Sequence, residues 1–573
     1  MSKASRSRPR PIAAPEIQLA IALHRQGRLG EAERIYAAIL AADPGRSDAL
    51  HLLGLANYQR GRLPEALRLM AAALKADPRS ADIHSNYGLA LDAGQQHQAA
   101  LASFDQALAL KPDHVQALNN RGLTLAALGR GAEALASWDA ALATDPDHVE
   151  ALHSRGNALY RLKRLDAALA DYDRVLALRP GNVDVLNNRG GALAELGRLD
   201  EAYESYDWAH AVNPGVPEIL INKGHICADR HQFDEALSCY AAAAVLPTLR
   251  PEAEFCASLV RLRLGQFAQG WRDYEWRWRQ ASWAPLRRDF VAPLWLGREP
   301  LAERTILLHA EQGFGDTLQF VRYAKLVAAL GATVLLEVQA PLKSLLCGTA
   351  GVAQIFSRGE PLPRFDLHCP LMSLPLAFGT ALDSIPANVP YVFAPADCVT
   401  QWRARLGESG TVRVGVVWAG SAVHKNNHNR SIAFERFRSL LSAPGIAFVS
   451  LQQELGAAEA ASLERHANVI PLGGELRDFA DTAAVVSLLD VVVSADTAMV
   501  HLAGALGRPV WALLPFSPDF RWLLDRQDSP WYPTARLFRQ PRFGDWESVL
   551  ARVTGELGML SKSVVRGPGR GLA

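Results

Sequence analysis

Proline recurs at positions 44, 78, 112, 146, 180 and 214, always 34 residues apart. Glycine keeps the same interval at 54, 88, 122, 156, 190 and 224, and alanine at 32, 66, 100, 134, 168, 202 and 236. Three residue types on one period define a repeat, and a repeat of this length is a pair of helices stacked on the next pair into a superhelix. Each marker has a physical reason. Proline, as in Asp43-Pro44 or Lys111-Pro112, ends the second helix of a pair because it cannot extend the hydrogen-bond ladder. The glycine lets the first helix approach its neighbour closely, and the alanine sits where paired helices cross. Turns such as Gly27-Arg28-Leu29, Gly61-Arg62-Leu63 and Gly197-Arg198-Leu199 join the two helices.

This pattern resembles the tetratricopeptide repeat family over 15–247, about seven units with the first partial. A repeat solenoid of this kind is a binding scaffold rather than a catalyst. A further series, Leu52, Asn86, Asn120, Ser154, Asn188 and Asn222, keeps the same beat two residues before each glycine. Helix A lines the concave groove in this family, and the series resembles the asparagine ladder of protein O-GlcNAc transferases. An amide both donates and accepts, so the resemblance implies that Asn86, Asn120, Asn188 and Asn222 grip an extended peptide main chain. Asparagine is also an ordinary choice on a polar helix face. Asp145-Pro-Asp147 and Asp171-Tyr-Asp173 fall inside the repeat and read as structural, not as a metal–nucleotide motif.

The chain of 573 residues exceeds what one core fills, so several domains are expected. Sixty basic and 59 acidic residues leave a net charge of +1, which offers no basic excess for nucleic acid. Six cysteines lie scattered without a CxxC pair, against a zinc site or disulfide framework and in keeping with a reducing, cytoplasmic setting. The basic stretch 1–14 has no apolar core behind it, so it reads as a disordered arm rather than a secretory signal, and 561–573 reads as a disordered tail. No apolar run is long enough to cross a membrane.

Over 248–300 the repeat register is lost. Trp271, Trp276, Trp278, Trp283 and Trp295 crowd this junction, a density of rings that fills an interface, so the segment is expected to cap the solenoid and dock it on the next domain. After Leu301 short apolar runs alternate with helical stretches. The runs at 305–309, 333–338 and 365–369 make one series; those at 412–418, 447–451, 491–494 and 509–514 make a second. Such alternation implies parallel sheets covered on both faces, here two Rossmann-like lobes over 301–400 and 401–560 with ligands at the carboxyl ends of the strands.

Three motifs stand at those strand ends. In Gln312-Gly313-Phe314-Gly315-Asp316, the glycines allow a tight turn and Asp316 suits either a helix cap or a general base. In Gly420-Ser421-Ala422-Val423-His424-Lys425, followed by Asn426 to Ser431, hydroxyl, lysine and backbone amides suit an anion. In Ser494-Ala495-Asp496-Thr497-Ala498-Met499-Val500-His501, a strand runs into a helix N-terminus, which favours a diphosphate.

Together these motifs resemble glycosyltransferase family 9, the ADP-heptose:lipopolysaccharide heptosyltransferases of the GT-B fold, over about 301–556. The pairing with a solenoid is similar to a group of bacterial repeat-containing glycosyltransferases. The resemblance implies an inverting transferase that moves a hexosyl or heptosyl group from a nucleotide-diphosphate donor. Asp316 would be the base; Gly313, Gly315, Gly420, Ser421, Lys425, Asp496, Thr497, Ala498 and His501 would bind the donor. No metal and no cofactor are implied, and the acceptor would be a protein or glycan brought by the solenoid. The long solenoid, the extended lysine loop and an edge loop with Asp519, Arg521 and Trp522 depart from the heptosyltransferases and leave donor and acceptor open. The alternatives are an adaptor with catalytically silent lobes and a protein O-GlcNAc transferase-like enzyme.

Overall fold

The computed structural model describes residues 14–422 and 426–565. It divides into two compact units between Gly215 and Val216.

The first unit is helical, from Ala14–Arg25 to Leu199–Val212, and its helices pair into hairpins on the expected period. The glycine beat has a definite cause. A Cβ on Gly88, Gly122, Gly156 or Gly190 would lie 2.6–2.7 Å from Phe104, Trp138, Tyr172 or Tyr206, the large buried residue 16 positions later on the second helix. The glycine is therefore a socket for a ring. The connecting turns share a left-handed residue at 27, 61, 95, 129, 163 and 197, with φ between 59° and 75°. Gly fills four of these places; Gln95 and Lys163 adopt the same conformation without glycine's freedom.

The second unit opens with two more hairpins, Glu218–Asp229 with Phe233–Ala243 and Arg250–Arg263 with Phe267–Tyr274. The loss of register expected after residue 247 is therefore corrected: one more hairpin follows on the same beat. Left-handed His231 and Gly265 keep the turn spacing, buried Ser258 takes the glycine place, and Gly270 takes the alanine place. The sequence hid this hairpin because its proline comes one residue early, at 247, and its socket residue is serine.

Two parallel sheets follow. The first has the order β3-β2-β1-β4, with β1 Thr305–His309, β2 Thr333–Val338, β3 Val352–Ser357 and β4 Leu367–Pro370. The second has the order β10-β9-β8-β5-β6-β7, with β5 Val412–Val417, β6 Ile446–Ser450, β7 Val469–Pro471, β8 Val491–Ala495, β9 Val510–Leu514 and β10 Ala535–Arg539. Central strands are buried on both faces, as in Ile306, Leu307 and Leu308 of β1. The expected pair of Rossmann-like lobes is thus present, with three strands, β3, β7 and β10, that the apolar runs did not reveal. A helical solenoid followed by two parallel α/β sheets is the fold class expected from the sequence.

The junction packs the second unit's hairpins on its own lobes. Trp271 meets Phe320 of the first lobe and Phe520 of the second edge-on, at 6.2 and 5.7 Å between ring centres. His231 stacks on Phe516 at 4.2 Å, Arg263 Nη1 donates to Ser517 Oγ at 2.9 Å, and Ser517 Oγ donates to Asp229 at 2.7 Å. The arm expected over 1–14 lies outside the described residues except for Ala14, which opens the first helix. The tail expected to be disordered from 561 is helical to Val565, within Trp546–Val565; the rest lies outside the described residues. Among the described residues no helix is long and apolar enough to cross a membrane.

Candidate active site

The loop after β1 is fixed before it reaches solvent. Glu311 is fully buried against Arg277, whose Nη2 donates to it at 3.0 Å and to Ser373 Oγ at 2.7 Å. Burial pushes the Glu311 carboxyl up to about 7, with Arg277 pulling it back and Glu275 adding to the rise. Gln312 Nε2 donates to Tyr274 Oη at 2.7 Å, and Gln339 Nε2 donates to the Gln312 carbonyl at 2.7 Å. Gly313 then caps the helix Phe314–Phe320, and its N–H donates to Asp316 Oδ2 at 2.8 Å. The other oxygen of Asp316 accepts from Arg521 Nη2. Asp316 is thus not the N-cap itself but the third residue of the helix, reaching back to the N-cap Gly313, and its carboxylate lines the cleft.

The loop after β5 begins with Trp418 and Ala419, whose N–H groups both donate to Gln452 Oε1 at 3.2 and 3.1 Å. Gly420 lies beneath the Arg430 guanidinium, so close that a Cβ would be 2.7 Å from Nη2. Arg430 Nη1 donates to the Asp496 carbonyl at 3.1 Å, while its buried Nε has no hydrogen-bond partner among the described residues. Ser421 is exposed at the mouth of this loop; Lys425 lies outside the described residues.

β8 delivers the third motif. Thr497 Oγ1 accepts from the Met499 N–H at 3.2 Å and caps the helix Ala498–Ala505. Burial pushes the Asp496 carboxyl up to about 6; the neighbouring Asp519 pushes the same way and Arg430 opposes. His501 is buried with Nδ1 3.0 Å from Tyr532 Oη, and its ring stacks on Trp522 at 5.5 Å. Burial, reinforced by Arg521, Arg322 and Arg430, holds it well below the ordinary imidazole range, so it is neutral at pH 7.

The first and third motifs touch. A Cβ on Gly315 would be 2.7 Å from His501 Cδ2 and 3.5 Å from Ala498 Cα, so only glycine allows this approach of the two helices. The result is a cleft of about 810 Å³ between the lobes. Its lining includes Gly313, Gly315 and Asp316 of the first motif, Gly420 and Ser421 of the second, and Asp496, Thr497, Ala498 and His501 of the third. It also includes Arg430, Arg521 and Asp519, whose loops the sequence places at the strand ends without giving these side chains a role, and Trp283, which the sequence assigns to the junction. The first three stood in the polar loops already noted, but nothing in their spacing aimed them at the cleft. Trp283 belongs to the junction and reaches the cleft braced edge-on by Phe255 at 5.6 Å.

The asparagine series sits differently. Asn86 Nδ2 donates to His51 Nε2 at 2.8 Å, and Asn188 Nδ2 to Asn157 Oδ1 at 2.9 Å, so these amides bridge helices of successive repeats. Asn120 is buried and accepts from Gln116 Nε2 at 3.0 Å. Asn222 is half-buried on Glu218–Asp229 of the second unit.

Tetratricopeptide repeat models match residues 23–88, 88–149, 119–183 and 153–217, and the model of glycosyltransferase family 9 (heptosyltransferase) matches 434–535. Protein FlbA of Caulobacter vibrioides is 26% identical in an alignment of 327 residues that covers 53% of this chain; the chain spans about half, 54%, of that relative's length. Among solved structures, PilF of Pseudomonas aeruginosa is 20% identical with a TM-score of 0.34, over 38% of this chain and 96% of that one. TTC0263, a TPR protein of Thermus thermophilus, is 25% identical with a TM-score of 0.28, over 31% and 98%. The chain thus carries tetratricopeptide repeats over 23–217 and, within its second lobe, a stretch over 434–535 that matches part of glycosyltransferase family 9.

Proposed function

We propose that the second unit is an inverting glycosyltransferase whose donor is a nucleotide-diphosphate sugar and whose acceptor hydroxyl belongs to a protein or glycan partner of the repeats. The observation that carries this reading is the convergence of three strand-end motifs from two lobes on one cleft, pressed together at Gly315 and His501. In the reaction the acceptor oxygen bonds to the anomeric carbon as the bond from that carbon to the phosphate oxygen breaks. The hydroxyl proton passes to Asp316, and the electron pair leaves on the diphosphate. Arg430, whose buried Nε lacks a partner among the described residues, and the positive N-terminal end of Ala498–Ala505 stabilise that departing charge, and Ser421 and Lys425 add to it. These groups supply the positive field without a metal or other cofactor. Neutral His501 serves as a hydrogen-bonding wall, not as a cation.

Calorimetry with UDP, ADP, GDP and CDP, followed by hydrolysis assays with their sugars, tests the reading. At least one nucleoside diphosphate should bind, and Asp316→Asn should remove at least a hundredfold of turnover while the nucleotide still binds. No binding of any of the four would end the enzyme reading. A second reading, a repeat adaptor with silent lobes, draws on the ion pair that occupies Asp316; nucleotide binding without any turnover would select it.

A further inference from the structure

Arg521 lies in the turn Phe520–Trp522 after β9 and lines the cleft, although its side chain is only 9% exposed. A guanidinium has five N–H donors in a fixed plane. In Arg521, Nε donates to Gln319 Oε1 at 2.7 Å and Nη1 to Asp519 Oδ1 at 2.9 Å. Nη2 donates to Asp316 Oδ1 and to Met372 Sδ, the latter at 3.6 Å. One N–H remains, and a phosphate gripped by arginine takes two parallel ones. An anion can take this two-donor grip on Arg521 only by displacing a partner.

The partners are not equally held. Asp519 belongs to the same turn and also accepts the Arg521 backbone N–H at 3.0 Å, so it travels with the arginine. Asp316 comes from the other lobe, and its second oxygen already has the Gly313 N–H at 2.8 Å. Asp316 is therefore the partner that can be released without being orphaned. Its release also matters chemically, since a carboxylate oxygen held by a guanidinium is less basic and has one lone pair fewer to offer the proton of an acceptor hydroxyl.

We propose that Arg521 is a donor-sensing latch: in the free protein it holds the Asp316 carboxylate, and the β-phosphate of an incoming nucleoside diphosphate takes the guanidinium over and leaves Asp316 free for the acceptor. Donor then binds before a productive acceptor, and the base is masked whenever the donor site is empty. This rests on the reading of Asp316 as the base and of a nucleoside diphosphate as the leaving group. Arg521 is a positioning residue for that base.

The latch makes an unusual prediction, because the base competes with the substrate for one arginine. In the full chain, Asp316→Asn keeps an oxygen for the Gly313 N–H and removes the charge that holds Arg521. Calorimetry with the nucleoside diphosphate that binds best should show at least a fivefold gain in affinity, and the matching monophosphate no more than a twofold change. Arg521→Gln should bring the two nucleotides' affinities close together, and Asp316→Asn added to it should give no gain. A general loss of negative charge would instead strengthen both nucleotides and persist without Arg521, and that result overturns the latch. Unchanged or weaker diphosphate binding in Asp316→Asn overturns it as well. If Arg521→Gln does not fold, Arg521→Lys should keep part of the diphosphate preference, and a full preference would count against the latch. Failure of the unaltered protein to bind any nucleoside diphosphate would remove the underlying enzyme reading instead.

Discussion

The hairpins of the first unit and the cleft of the second use the same charged side chains in opposite ways. Arg121, Arg155 and Arg189 stand 34 residues apart, and each reaches a carboxylate 16 residues earlier, Asp105, Asp139 or Asp173, at 2.7 Å. Each also donates to a residue 16 positions later: Ser137, Asp171 or Ser205. Every guanidinium is satisfied locally, and the same solution recurs because the geometry recurs. In the cleft, Arg521 is shared by carboxylates from two lobes, Arg430 keeps a buried Nε without a partner among the described residues, and Asp496 is buried beside Asp519. The repeat spends these three arginines on itself; the cleft holds charge that a ligand can complete.

The largest effect should come from breaking the repeat ladder where it is buried. Arg155→Ala strands Asp171, whose side chain is 5% exposed, and should cost about 3 kcal/mol of stability in chemical denaturation. Arg121→Ala leaves Asp105, 56% exposed, free to hydrate, and should cost about 1 kcal/mol or less. Equal costs would mean that the ladder acts through packing rather than charge.

Two glycine substitutions separate the regions at similar steric cost. Gly122→Ala drives a Cβ to 2.6 Å from Trp138, and Gly315→Ala drives one to 2.7 Å from His501. Each should destabilise by about 1–3 kcal/mol. Only Gly315→Ala should weaken nucleotide binding, since the repeat glycine serves a local socket. Loss of nucleotide binding in Gly122→Ala would break the contrast.

The smallest effect concerns the buried cleft charge. With its carboxyl raised from 3.8 to about 6, Asp496 adds stability that is fully present below about pH 4 and lost as pH rises through about 6. Asp496→Asn should therefore be more stable than the unaltered protein at pH 8, by on the order of 1 kcal/mol, with the gain gone at pH 4. A gain that did not vary with pH would place its cause in packing.

Much of the architecture was legible because its markers act over short distances. Proline stops, socket glycines and buried strand cores each report on their own neighbourhood. The strands that escaped notice, β3, β7 and β10, are all at sheet edges. These three show no continuous apolar run, as the half-exposed Val352–Ser357 illustrates, whereas the edge strand β4 is mostly buried and its run could be found. The hairpin at Arg250–Tyr274 escaped because its three markers were replaced or shifted while its turn stayed on beat. At the cleft, the glycine-flanked Asp316 and the Asp496–His501 run announced themselves by standing between a strand and a helix. Arg430, Arg521 and Trp283 did not, because no local pattern says which way a loop side chain points.

The sequence by itself determined the repeat, its period, the two parallel sheets and the strand ends where chemistry could sit, since all of these follow from local stereochemistry and apolar periodicity. Only the tertiary structure decided that Gly315 seats His501, that Asn86 and Asn188 are occupied by neighbouring repeats, and that Arg521 holds Asp316 from 205 residues away. Those are contacts between distant segments, and their energies depend on burial and mutual approach, quantities that exist only once the chain has closed on itself.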